Sequence, residues 1–165
     1  EPSIERIALL QKQSSPVIIN SVIETLADID PSFTRINAWP GFLGTIAEGS
    51  CRAENSKEKV RSIFEGFNKK IEWVPDEPGF ITPRVICMII NEAYFALEEK
   101  VSSKEEIDIA MKLGTAYPYG PFEWSKKIGL LNVYNLLHRL GGEEKRYEPA
   151  GLLKQEALGV KYGSC

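Results

Sequence analysis

Hydrophobic and polar positions along this 165-residue chain change their period at one place. Before Pro75 the apolar runs are short and strand-like, with helical stretches between them. After Gly79 they recur at helical spacing to the end. Ile4, Ile7, Ala8 and Gln11 share one face of a predicted helix over 3–12, with Ser3 as its N-cap. The β-branched run 17–19 after Pro16 reads as a buried strand, and 22–29 as a short helical segment broken by Asp30 and Pro31. Residues 34–39 alternate and predict a second strand, ended by Pro40 and Gly41. Asn55 with Glu58 forms a capping-box pattern, and Val60, Ile63, Phe64 and Phe67 follow at amphipathic-helix spacing. Residues 71–74 predict a third strand.

Beyond the linker 75–79 every strong signal is helical. A helix over 80–100 would span about 30 Å. Val85, Ile86, Met88, Ile89, Ile90, Ala93, Phe95 and Leu97 wrap most of its circumference, so it must be buried in a core or an oligomer interface. Ser103 and Glu106 form a second capping box, opening a helix that runs to Gly114 as its C′ residue. Pro121 suits the first turn of a short helix ending at Ile128. Residues 130–140, stopped by Gly141 and Gly142, and 150–158 complete the set. The expected fold class is an α/β segment over 1–75 followed by an all-α domain over 76–165.

Composition narrows the picture. A hydrophobic fraction of 43% supports a packed core, and a net charge of −3 with scattered basic residues argues against a nucleic-acid binder. Lys69 and Lys70, like Lys126 and Lys127, read as solvated helix ends. No apolar run reaches the roughly 18 residues a membrane span needs. Cys51, Cys87 and Cys165 are widely spaced and His138 is the sole histidine, so no zinc spacing exists and no metal site is expected. Cys87, inside RVICMII, reads as a buried thiol, and a reducing cytoplasm is the expected setting.

Four segments in fixed order carry more information: DEPGFITPR over 76–84, NEA over 91–93, SKEEIDIAMKLG over 103–114 and PYGPFE over 118–123. Together they closely resemble the C-terminal helical domain of the 3-hydroxyacyl-CoA dehydrogenase family. Upstream, 54–79 resembles the family's last Rossmann helix and strand, INAWPGFLGTIAE over 36–48 its H-F-F-N-P segment, and VIINS over 17–21 the strand before its serine loop. Its C-terminal ending is echoed at 159–163.

The resemblance implies a helical domain of the 6-phosphogluconate dehydrogenase C-terminal-like type, a Rossmann remnant ahead of it, and a two-fold homodimer through the helices. It implies a parent reaction in which a 3-hydroxyacyl-CoA is oxidised to the 3-oxoacyl-CoA while hydride leaves for NAD. A histidine takes the hydroxyl proton, a glutamate orients it, and a serine and an asparagine hold the substrate. On this chain the histidine falls at Ile36, beside the neutral Asn37, and the glutamate at Glu48. The asparagine falls at Pro83, and the serine at Ser21 or Ser15. The candidate catalytic residues are therefore Glu48 and Ser21, with Glu48 equally readable as a surface or cap residue.

Dinucleotide binding needs a Gly-rich turn between a strand and a helix. Gly41 and Gly44 lack that context, and no G-x-G-x-x-G occurs. The first helix resembles one late in the Rossmann domain, so the cofactor half is expected to be missing ahead of Glu1. The expectation is that NAD does not bind this chain alone and that dehydrogenase turnover is lost. A module that dimerises or holds acyl-CoA without chemistry is the competing expectation. The aromatic stretch 117–124 reads as a packed turn, Lys112 as a helix C-terminal cation, and His138 as a surface or interface residue.

Overall fold

The computed structural model describes residues 3–13 and 15–159. The ending echoed at 159–163 and Cys165 lie outside the described residues, apart from Gly159. The chain divides into two compact units, residues 1–83 and 84–165.

The first unit opens with α1 (Ile4–Leu10), whose N-cap Ser3 accepts the Arg6 N–H. Of the expected face only Ile7 turns inward, together with Leu10, while Ile4, Ala8 and Gln11 are exposed. Four strands follow: β1 (Ile18–Asn20), β2 (Thr34–Ile36), β3 (Ile46–Cys51) and β4 (Lys70–Trp73), with α2 (Glu54–Gly66) between the last two. They form one sheet in chain order. The β1–β2 and β3–β4 pairs are parallel and β2–β3 is antiparallel, with Ile36 opposite Gly49. Alternation along the strands sends residues to two faces. Ile36, Ala47 and Ile71 pack on Val60 and Phe64 of α2. Ile19 packs with Leu26, Phe33, Ile7 and Leu10 on α1's side.

Three local expectations are corrected. Residues 22–29 form bends and a single turn, not a continuous helix, because several of their backbone groups bond to Arg35, Asp76 and Gly79 instead, as described below. α2 starts one residue before Asn55 with Ala53 as an uncapped N-cap, and only Val60 and Phe64 of its apolar residues are buried. Strand β3 was not foreseen, since Ala47, Gly49, Ser50 and Cys51 lack the β-branched or aromatic character that marks strands. Gly49 belongs there for a steric reason: a Cβ would stand 2.6 Å from Ile71 Cδ1.

The second unit is helical. It contains most of α3 (Thr82–Glu98), then α4 (Lys104–Thr115), α5 (Pro121–Ile128), α6 (Leu130–Gly141), a 3₁₀ turn (Lys145–Tyr147) and α7 (Gly151–Leu158). These are the predicted helices to within two residues. Gly114 is the exception, lying inside α4, while Ala116 takes the left-handed capping conformation at φ 55°. Ile90, Tyr94, Phe122, Val133, Leu136, Leu137 and Leu153 fill the core. Among the described residues no helix is long and apolar enough to cross a membrane.

Candidate functional site

Glu48 follows Ala47 in β3, so its side chain points to the face away from α2. There Oε2 accepts the Asn37 Nδ2–H at 3.1 Å, while Oε1 accepts both the backbone N–H and the hydroxyl of Thr82 at 2.9 Å. Thr82 opens α3, and the first N–H groups of a helix have no partner within it. Glu48 supplies that partner. Asn37, just past β2, donates its backbone N–H to the Glu48 carbonyl at 2.9 Å. Its Oδ1 accepts the Trp39 N–H at 3.3 Å, and Asn20 Oδ1 takes the Ala38 N–H at 2.9 Å. The corner after β2 is thereby held by two asparagine side chains.

Ile36, where the histidine was expected to fall, points into the apolar cluster with Val60 and Phe64. The side chain that meets Glu48 is its neighbour Asn37. A carboxamide donates and accepts hydrogen bonds but has no basic lone pair, so Asn37 cannot take a proton from an alcohol as an imidazole would, and both Glu48 oxygens are already engaged. Pro83 lies buried in the first turn of α3. Its fixed φ and missing N–H cost nothing there, and it brings no amide to a substrate.

Ser21 is buried and donates its hydroxyl to the Glu24 carbonyl at 2.9 Å. It belongs to a network centred on Arg35, a fully buried residue in β2 that sequence reading passed over. Arg35 Nε donates to Asp76 Oδ1 at 2.6 Å, Nη1 to the Ser21 and Glu24 carbonyls at 3.2 and 3.4 Å, and Nη2 to the Glu77 carbonyl at 2.6 Å. The guanidinium also stacks on Phe80, 4.2 Å from the ring centroid. Asp76 in turn accepts the Leu26 N–H with both oxygens at 3.1 Å, and Asp28 takes the Thr25 N–H at 2.9 Å. These bonds engage backbone groups of 21–26, and helical-type bonds are confined to one turn, where the Asp28 and Ile29 N–H groups donate to the Thr25 carbonyl at 3.1 and 3.2 Å. Gly79 and Phe80 adopt positive φ, 83° and 50°, and Gly79 N–H donates to the Val22 carbonyl at 2.7 Å. The segment 76–80 is thus fastened to the sheet. A lone arginine in an alternating run gives no local sign of partners some forty residues away (|i−j| of 41 and 42).

Gly41 has φ 94° in the turn between β2 and β3, which joins two strands rather than a strand to a helix. It therefore offers no helix N-terminus to a pyrophosphate.

Residues 79–164 match the model of the 3-hydroxyacyl-CoA dehydrogenase C-terminal domain. The chain belongs to the 3-hydroxyacyl-CoA dehydrogenase family. It is 37% identical over 125 residues to the 3-hydroxyadipyl-CoA dehydrogenase of Escherichia coli strain K12, a match covering 74% of this chain and 26% of that protein. Identity to the 3-hydroxybutyryl-CoA dehydrogenase of Bradyrhizobium diazoefficiens is 39% over 111 residues, covering 66% of this chain and 36% of that one. A crystal structure of 3-hydroxybutyryl-CoA dehydrogenase from E. coli K12 aligns at a TM-score of 0.75 and 31% identity, over 89% of this chain and 34% of that chain. The (S)-3-hydroxybutyryl-CoA dehydrogenase of Ralstonia eutropha aligns at a TM-score of 0.82 over 96% of this chain and 62% of that chain; at 24% identity it attests the fold alone. The chain spans between 26% and 43% of the length of these and similar curated relatives.

The family's helical motifs have structural work in this chain. Asp108, 8% exposed, accepts the N–H groups of Phe122 and Glu123 at 2.8 and 3.2 Å and so caps α5. Gly120 is required beside it, because a Cβ would stand 2.5 Å from the Asp108 Cα. Glu123 completes a capping interaction with the Gly120 N–H at 3.0 Å and pairs with Lys112 at 2.6 Å. The Lys112 hydrogen bond, then that N–H, hold the Glu123 carboxyl below its usual range. Asn91, buried in α3, donates to the Glu148 carbonyl at 2.9 Å and accepts the Ala150 N–H at 2.8 Å. The Cys87 thiol is pushed far up by burial, which makes it inert. Tyr119 packs edge-on against Trp124 with centroids 4.9 Å apart, while Tyr117 at the start of the aromatic stretch is exposed.

Proposed function

We propose that this chain is a scaffold portion of a protein whose parent reaction is the NAD-linked oxidation of a 3-hydroxyacyl-CoA to the 3-oxoacyl-CoA, and that the chain alone does not turn over. One observation carries the second half: Glu48 meets the neutral Asn37 and caps α3, while Ile36 lies in the core. A positioned general base contributes about 10²–10⁴ in rate, and the imidazole that would supply it is replaced by Asn37 beside Glu48. Neither Glu48 nor Ser21 has a catalytic part in this reading; each holds backbone in place. The substrate class and NAD come from the family membership and from the relatives' printed activities.

The experiment is to incubate the purified chain with NAD and 3-hydroxybutyryl-CoA and follow absorbance of NADH. The expected result is no formation above the uncatalysed background. Steady turnover that vanishes in Glu48→Ala would overturn the reading.

The chain is also proposed to form a homodimer through the helical unit. Met88, Ile89, Ala93, Ala96, Ile107 and Met111 border an apolar groove of about 350 Å³ on α3 and α4. Val85, Ile109 and Leu113 are exposed by 50%, 54% and 82% on the same two helices. Light scattering should therefore give the mass of two chains. The two described free thiols, Cys51 and Cys87, suit a reducing cytoplasm.

A further inference from the structure

Tyr134 and His138 lie one turn apart on α6, and their rings stack with centroids 5.6 Å apart at 9°. Tyr134 is buried and His138 is exposed, so the pair offers one open aromatic face on a fixed backing. After α6 the chain bends through the 3₁₀ turn into α7. The bend encloses an open cleft of about 380 Å³, bordered by the aromatic pair, Lys145, Glu148, Pro149 and Lys154. That volume lies within the roughly 300–1,000 Å³ common for small-molecule sites.

The cleft's backbone is tied to a buried side chain, and its charged groups are unspent. Asn91, 1% exposed, fixes the backbone on either side of Pro149 by bonding the Glu148 carbonyl and the Ala150 N–H. Lys145 and Lys154 have no ion-pair partner among the described residues, and the Glu148 carboxylate has none either. Two lysines and one glutamate border the cleft, a local excess of positive charge in a chain whose net charge is −3. Each border group matches part of one ligand. A flat ring stacked on a buried ring receives a heteroaromatic base. A carboxylate accepts hydrogen bonds from sugar hydroxyls, and paired lysines receive phosphate oxygens.

We propose that this cleft binds a purine nucleoside diphosphate, with the base on His138, the ribose on Glu148 and the phosphates on Lys145 and Lys154. His138 is the sole histidine, so its Hε1 gives a single, unambiguous NMR signal for the site. The test titrates the full 165-residue chain with ADP, adenosine and inorganic pyrophosphate at fixed pH and ionic strength. Calorimetry runs alongside. ADP should saturate with an upfield shift of the His138 signal and bind about tenfold more tightly than adenosine or pyrophosphate. The Lys145→Ala/Lys154→Ala double variant should lose about tenfold in ADP affinity while leaving adenosine binding unchanged. His138→Ala should weaken ADP and spare pyrophosphate. All three positions are exposed, and an unchanged melting curve checks that the variants fold. Absence of saturable ADP binding at millimolar ligand would overturn the proposal. So would pyrophosphate binding as tightly as ADP without moving the His138 signal, which would mark a phosphate site only.

Discussion

Two carboxylates in this molecule do the same thing in different settings. Glu48 accepts the Thr82 N–H at the start of α3, and Asp108 accepts two N–H groups at the start of α5. Asp108 is buried against a glycine with no room for a Cβ. Glu48 is half-buried, and its second oxygen bonds a side-chain amide. By resemblance one is a catalytic partner and the other a piece of motif, yet both are caps. A carboxylate's role follows from what it touches, and Glu48 touches a neutral amide and a helix N-terminus rather than an imidazole.

The contrast can be broken by substitution. The largest effect should come from the sheet unit, at Arg35, where no family chemistry was expected. Arg35→Ala leaves Asp76 only the Leu26 N–H and the exposed Arg52 at 3.5 Å, and it uncaps the carbonyls of Ser21, Glu24 and Glu77. Removing one member of a buried pair costs about 3–5 kcal/mol, to be read from chemical denaturation. A loss below about 1 kcal/mol, the range of exposed ion pairs, would show that the network is not what fastens 76–80.

Gly120→Ala comes next. It forces a methyl against the Asp108 backbone, and overpacking of this kind costs about 1–3 kcal/mol. The same denaturation curves report it, and a neutral result would remove close approach as the reason for glycine in the PYGPFE segment. The smallest effect is expected at Glu48. Glu48→Ala should cost about 0.5–2 kcal/mol, as loss of a helix cap does. Glu48→Gln should cost less, because its remaining carbonyl oxygen can still accept from Thr82. If Glu48→Ala cost more than Gly120→Ala, the ranking of the two carboxylate corners would be reversed.

The helical unit was legible almost residue by residue. Ser103, Glu106 and Pro121 act locally, through contacts three or four positions away, and a sequence displays such contacts directly. The sheet unit was legible only in outline. β3 went unseen because its small residues are selected by neighbours: Gly49 by Ile71, and Ser50 by the Val74 and Pro75 carbonyls that its hydroxyl reaches at 2.8 and 3.0 Å. Residues 22–29 looked helical because helix propensity counts only local bonds, whereas Asp76 and Arg35 outbid it from fifty and about eleven to fourteen positions away. At the candidate site, Glu48 and the absence of a histidine were visible beforehand. That Asn37 rather than Ile36 would face the carboxylate was not, since it depends on strand alternation and on the pairing of β2 with β3.

The sequence by itself therefore determined the family, the helices from α3 onward and the loss of an imidazole beside Glu48. Those depend on residue identity and on spacings within a few turns. Only the tertiary structure decided which side chain meets Glu48, why Arg35 is buried and what Gly120 is for. Each of these depends on segments remote in sequence being brought within hydrogen-bonding distance or van der Waals contact. A single residue's type carries no record of such a neighbour.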